Sequence, residues 1–241
     1  LEWPPPYQLE VNPRLRHLRL RLDHRGLVII VPRGFDRREL ARVLEAKRGW
    51  LERHHDTVVE QGRRRREEAL QLPETIEFLA TGQVFSVRYR IEDFAEVRLQ
   101  QHGQGSLEIC GKIEQRALVR QVLSLWLRDQ ARRRLPPLVL ELAQQLGLTV
   151  DRIGVRSQLT RWGSCSGRAR INLNDRLLFL PPHLVRHVIV HELCHLGERN
   201  HSSRFFQRLA EVDPDHLRHR AELRAGKEGI PPWARLDHER G

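Results

Sequence analysis

The sequence predicts an α+β protein, with a β-rich N-terminal region followed by a compact, mainly helical core. Three observations predict it. Short apolar runs bounded by glycine recur from Leu18 to Cys110, the apolar period becomes helical from Gln115 onwards, and His191-Glu192-Leu193-Cys194-His195 lies in a long apolar segment. They divide the chain into a strand and helix domain over 1–111, a helical domain carrying the histidine motif over 112–225, and a tail over 226–241.

In order along the chain, Leu18, Leu20 and Leu22 alternate with Arg19 and Arg21 before Arg25-Gly26 turns into Leu27–Val31, the pattern of a hairpin. Asp36-Arg37-Arg38-Glu39 reads as a capping box for a helix carrying Leu40, Val43 and Leu44. Glu77–Ala80, Val84–Arg90, Glu96–Gln100 and Ser106–Cys110 read as strands, with Gly82 and Gly103/Gly105 as turns. The helical pattern from Gln115 should break at Pro136-Pro137 and end near Gly147. Short strands are expected between Ile153 and Asn174, and a last helix over His216–Arg224 precedes a tail partly anchored by Trp233.

The segment after Pro181-Pro182 is apolar nearly all round, through Leu184, Val188, Ile189, Val190, Leu193, Cys194 and Leu196, as expected of a buried helix. Residues four apart share a helix face, so His191 and His195 can each offer a ring nitrogen to one zinc ion, with Glu192 beside the water that such an ion activates. Thirteen histidines and 21 glutamates give about 0.06 such motifs by chance. Chance and hydrogen-bonded core histidines are therefore the weaker explanations. Gly197 can take a left-handed conformation and end the helix, and Asn200-His201-Ser202-Ser203 resembles the cap of the next one. This brings His201 to a bend near the pair. Glu198 and Glu211 compete with it as third ligand, while His187 and His183 continue the stripe as surface or outer groups.

Arg161-Trp162-Gly163-Ser164-Cys165-Ser166, Ile171-Asn172-Leu173-Asn174, Val188 to Leu196, Asn200-His201-Ser202 and Phe205-Phe206 together resemble the YgjP-like metallopeptidase family, compact zincin relatives of the SprT-like proteases. The specific blocks span about Arg156 to Phe206, with weaker similarity back to Leu18. The resemblance implies a zincin-like catalytic core, zinc held by His191, His195 and His201, and Glu192 as catalytic base. Many members have Trp where this chain has Phe206. Taken on residue types, the Arg161–Ser166 block is a structural turn or a substrate-contacting loop; the resemblance favours a wall of the active site.

These readings point to a zinc metallopeptidase acting on protein or peptide, with Arg204 and His216 as candidate donors to the oxyanion. A metal-dependent nucleotide pyrophosphohydrolase and a DNA-associated protease or nucleic-acid binder with structural zinc are the alternatives. The net charge of +11 suits nucleic acid, yet 39 of the 42 basic residues are Arg, a bias that genome composition can produce. Arg63-Arg64-Arg65-Arg66 precedes Glu67-Glu68, the composition of a solvated, self-paired helix face. Cys110, Cys165 and Cys194 show neither disulfide framework nor CxxC spacing. The lack of a long apolar run or a signal pattern predicts a soluble, cytosolic protein without membrane contact. The absence of Met, with Leu1 first, predicts residues before Leu1.

Overall fold

The alternation of Leu20 and Leu22 with arginine does make a hairpin: β2 (Arg19–Asp23) runs antiparallel to β3 (Gly26–Val31). A computed structural model describes residues 3–23, 26–167, 169–226 and 229–235, so Arg25 of the turn lies outside the described residues. Gly26 has a φ of 105°, a conformation that a side chain would strain. β1 (Tyr7–Val11) adds to the other side of β3 in parallel, a strand not among those expected although Tyr7, Leu9 and Val11 alternate with Gln8 and Glu10. α1 (Glu39–Ala46) begins at the last residue of the expected capping box. Asp36 accepts a hydrogen bond from the Arg38 amide at 2.9 Å, forming a turn ahead of the helix instead of a reciprocal cap.

Leu27, Ile29 and Val31 of β3 pack with Leu40 and Leu44 of α1 and with Leu51 of α2 (Arg48–Ala69), giving residues 1–68 a core of their own. On α2, Arg63 pairs with Glu60 and Glu67, and Arg64 with Glu60, as a self-paired helix face requires. The side chains of Arg65 and Arg66 lie outside the described residues.

The second compact unit runs from Ala69 to Gly241 and not from 112. The reason lies in shared burial. Its four-stranded sheet, ordered β4 (Thr75–Phe78), β5 (Gln83–Ile91), β7 (Ser106–Gly111) and β6 (Val97–His102), contributes Ile76, Phe78, Phe85, Leu107 and Ile109 to the core that α3 (Arg116–Gln145) also enters. Phe78 stacks on Trp126 of α3 at 5.4 Å between ring centroids, and Phe85 meets the same ring edge-on at 5.0 Å.

α3 is continuous through Pro136 and Pro137, contrary to the expected break. Each proline removes a backbone donor, at a cost of roughly 3 kcal/mol in an isolated helix. Here Val119, Leu123, Leu127 and Ala131 on one side of the prolines, and Leu135, Val139 and Ala143 around and beyond them, form one buried stripe whose packing offsets that cost. Gly147, at a φ of 64°, follows its end as expected.

A second sheet, ordered β8 (Arg152–Arg156), β10 (Arg170–Asn174) and β9 (Gly163–Ser166), leaves β9 on an edge. Against it lies α4 (Pro182–Cys194), which starts with proline at its first position and also packs against α3, α5 (Ser203–Val212) and α6 (His216–Ala225). Beyond Gly226, Ile230 and Trp233 are buried in the same core, and Arg120 donates to the Trp233 carbonyl at 3.0 Å. Among the described residues no helix is long and apolar enough to cross a membrane.

Candidate metal centre

α4 buries Val188, Ile189, Val190 and Leu193, which fixes the rotation of the helix and thereby the face on which His191 and His195 appear. His195 is the first residue past the helix but keeps helical dihedrals (φ −67°, ψ −12°), so the one-turn relation to His191 holds, with ring centroids 5.0 Å apart. The chain then turns. Gly197 does not have the left-handed backbone expected of it; the amides of Gly197 and Glu198 both return to the Cys194 carbonyl, at 3.2 and 3.0 Å. A Cβ on Gly197 would meet the Arg208 guanidinium, the far end of a flexible side chain that can move aside.

After the turn, Ser202 caps α5 by accepting a hydrogen bond from the Phe205 amide at 3.3 Å, which brings His201 back over α4. The donor atoms of His191, His195 and His201 all lie within 4.8 Å of one another. Phe205, fully buried, forms a platform beneath all three rings, with centroids at 4.9, 4.5 and 4.7 Å respectively. Sequence reasoning gave Phe205 no role, although the first turn of a helix capped beside His201 was the signal for one.

The donor chemistry suits a cation. His195 donates its Nδ1 hydrogen to the Glu198 carbonyl at 2.9 Å, which leaves the Nε2 lone pair available. The Nε2 atoms of His191 and His201 face one another at 3.0 Å. Ligands of a tetrahedral zinc stand ~3.3 Å apart, whereas two bare lone pairs at such a distance repel, so a shared proton or a shared cation is required. Burial, assisted by the neighbouring histidines, pushes His191 down to about 3 and lowers His201 as well, so both rings are neutral at pH 7, and the pair is joined either by the Nε2 hydrogen of one neutral ring or by a cation that takes both lone pairs. Among the described residues neither Glu198 nor Glu211 joins the cluster.

Glu192 is 5% exposed, and burial pushes its carboxyl up to about 7 against the opposing pull of Arg161. It sits directly against β9: a Cβ on Gly163 would lie 2.7 Å from both Cγ and Oε1 of Glu192. The loop before β9 is tied down by buried Asn174, whose side-chain amide donates to the carbonyls of Gln158 and Arg161, each at 2.8 Å. The Arg161–Ser166 block is thus not the expected turn: its last four residues form the edge strand β9, and the block is a wall of a cleft of about 820 Å³ containing the three histidines and Glu192. His216 lines this cleft and Arg204 does not.

One helical turn before His191, His187 is buried, so of the two placements expected for it, surface or outer group, the surface one does not hold. Its Nδ1 donates to Asp213 at 2.5 Å, and His219 donates to the same carboxylate at 2.9 Å. Burial keeps His187 neutral despite Asp213. The Asp213 carboxyl, which burial alone would raise, is held low by its two imidazole donors. Two imidazole N–H donors on one carboxylate account for this cluster through hydrogen bonds. It ties α6 to α4. His183, by contrast, is exposed and meets Glu222 at 2.7 Å.

Fold and histidine cluster together define a candidate metallohydrolase. The chain belongs to the family described as YgjP-like, metallopeptidase domain, whose pattern matches residues 16–226. Among solved structures, the crystal structure of the metallopeptidase zymogen abylysin from Pyrococcus abyssi is similar over 39% of this chain and 93% of that one, at 22% identity and a TM-score of 0.34. No curated protein matches this chain.

Proposed function

We propose that this protein is a zinc peptidase in which His191, His195 and His201 hold the metal and Glu192 is the general base. The observation that carries the reading is the convergence of three imidazoles, two of them driven neutral by burial, next to a buried carboxyl. Three nitrogen ligands with room for a fourth partner suit a catalytic zinc, which when bound supplies a Lewis acid to polarise a carbonyl and acidify water.

The chain's own residues supply the rest. Glu192 takes a proton from the attacking water and delivers it to the leaving nitrogen, so the carbon–oxygen bond forms as the carbon–nitrogen bond breaks. A group raised to about 7 can do both. β9 offers a free strand edge along the cleft, on which an extended peptide can pair while its scissile bond lies near Glu192. Protein is the substrate class implied by the peptidase family.

The deciding assay compares unfolded casein and nucleoside triphosphates on one preparation of the full chain, stripped with a chelator and then reloaded with one equivalent of zinc. Casein cleavage should vanish on stripping and return on reloading. A zinc-loaded chain that cleaves only the triphosphates would overturn the peptidase reading.

Gly163→Ala tests the closeness of β9 to the base. The added methyl must displace either β9 or Glu192, because it would meet the carboxyl at 2.7 Å. We expect kcat to fall about 10- to 100-fold, as a displacement near 1 Å commonly causes, with zinc affinity nearly unchanged. Wild-type kcat in this variant would separate Glu192 from the chemistry.

A further inference from the structure

The cleft has an uneven charge that the hydrolytic chemistry does not use. Four of its lining residues carry charged Arg, Lys, Asp or Glu side chains: Arg161, Arg199, Arg220 and the buried Glu192. The three arginines arrive from separate places, before β9, after α4 and on α6, and all are exposed. Among the described residues, no carboxylate forms an ion pair with any of their guanidinium groups. Arg218, two residues from Arg220 on the same helix, shows the contrast, since it pairs with Asp215 at 3.0 Å and Glu222 at 3.4 Å.

Their placement follows the strand edge. Arg161 precedes Gly163 by two residues, at one end of β9. At the other end, the Arg199 guanidinium lies 3.4 Å from where a Cβ on Gly167 would stand, just past Ser166. Four strand residues span ~13 Å, so a peptide paired with β9 would pass from one guanidinium to the other. Arg220 lines the same cleft as His191 and His201. The His187–Asp213–His219 hydrogen bonds hold the helix that carries it.

Resting on the peptidase reading of this cleft, we propose that it selects acidic peptide segments, with Arg161 and Arg199 taking carboxylate side chains at the two ends of the stretch bound to β9 and Arg220 adding to the same positive field. Guanidinium groups recognise carboxylates through paired hydrogen bonds, and a cleft lined by one sign of charge raises the local concentration of the opposite sign. Peptides rich in lysine are disfavoured by the same field. Selection acts on binding, so it changes KM more than kcat.

The test uses two twelve-residue fluorescent peptides with the same central residues, flanked by Glu and Asp in one and by Lys in the other. Binding is measured by anisotropy to the zinc-loaded full chain carrying Glu192→Gln, at low and high salt. The acidic peptide should bind about 10-fold more tightly at low salt, and the difference should shrink at high salt. Arg161→Glu with Arg199→Glu should reverse the order; Arg161→Gln with Arg199→Gln, checked for unchanged zinc content and circular dichroism, should abolish it. Equal binding of the two peptides, or an acidic preference retained by a folded double variant, overturns the inference. So does displacement of the acidic peptide by inorganic triphosphate well below the peptide's own dissociation constant, which would mark a phosphate site. Acidic preference in binding, with no cleavage of either peptide by the wild-type chain, supports the selectivity and refutes the peptidase reading instead.

Discussion

Replacing Glu192 by Gln is expected to lower kcat by about 10²- to 10⁴-fold, the usual contribution of a positioned acid–base group, while zinc still binds at one equivalent. The substitution keeps the volume and polarity of a side chain that is 5% exposed, and it leaves the three imidazoles untouched. It has a second consequence in the metal-free protein. Burial raises the Glu192 carboxyl to about 7, so the native state holds this proton more firmly than the unfolded chain does. The stability linked to that proton is fully present below the unfolded value near 4.5 and is lost as pH rises through about 7. Gln has no proton to lose there. The variant should therefore gain stability relative to wild type, on the order of 3 kcal/mol, between about pH 4.5 and pH 8. Single-turnover hydrolysis, metal analysis and urea denaturation of one pair of preparations measure all three effects. Full activity in the variant would remove Glu192 from the reaction; loss of zinc would make it a ligand.

His201→Ala should lower zinc affinity by more than about 100-fold, beyond the usual effect of losing a group that only supports a ligand. The Nε2 of His201 stands 3.0 Å from that of His191, and removing it turns three converging donors into two. Glu198→Ala should change affinity by a few-fold at most, because it is the backbone carbonyl of Glu198 that fixes His195. Glu211→Ala should behave likewise, its side chain being exposed and outside the cluster. Competition with a chromophoric zinc chelator ranks the three variants. A zinc-bound structure with a carboxylate in place of His201, and that ring more than about 4 Å from the metal, would overturn the assignment.

The histidine helix was legible because its signals are local. An i, i+4 pair, a proline at the first turn and an apolar surface all lie within one segment, and the serine that caps the next helix lies eight residues beyond Cys194. The hairpin of β2 and β3 was legible for the same reason, its two strands adjoining in sequence. β1 carries the same alternation, Tyr7, Leu9 and Val11 with Gln8 and Glu10 between them, but its parallel pairing with a strand some twenty residues away is not written in that local pattern. The prolines of α3 misled because a local cost was weighed without the buried stripe that offsets it.

What the sequence by itself determined was the α+β class and the helix that bears His191, Glu192 and His195, because secondary-structure period and ligand spacing are properties of neighbours along the chain. It also determined that His201 follows at a turn. Only the tertiary structure showed that, among the described residues, His201 and not Glu198 or Glu211 gathers with His191 and His195, that Phe205 underlies all three rings, that Gly163 gives Glu192 its place against β9, and that Asp213 joins two helices through His187 and His219. It likewise moved the boundary between compact units to residue 68, where the apolar faces of β4 to β7 are buried with α3. The physical reason is common to all of these. Burial and close approach depend on which surfaces meet after the chain has crossed itself, and no local period records that meeting.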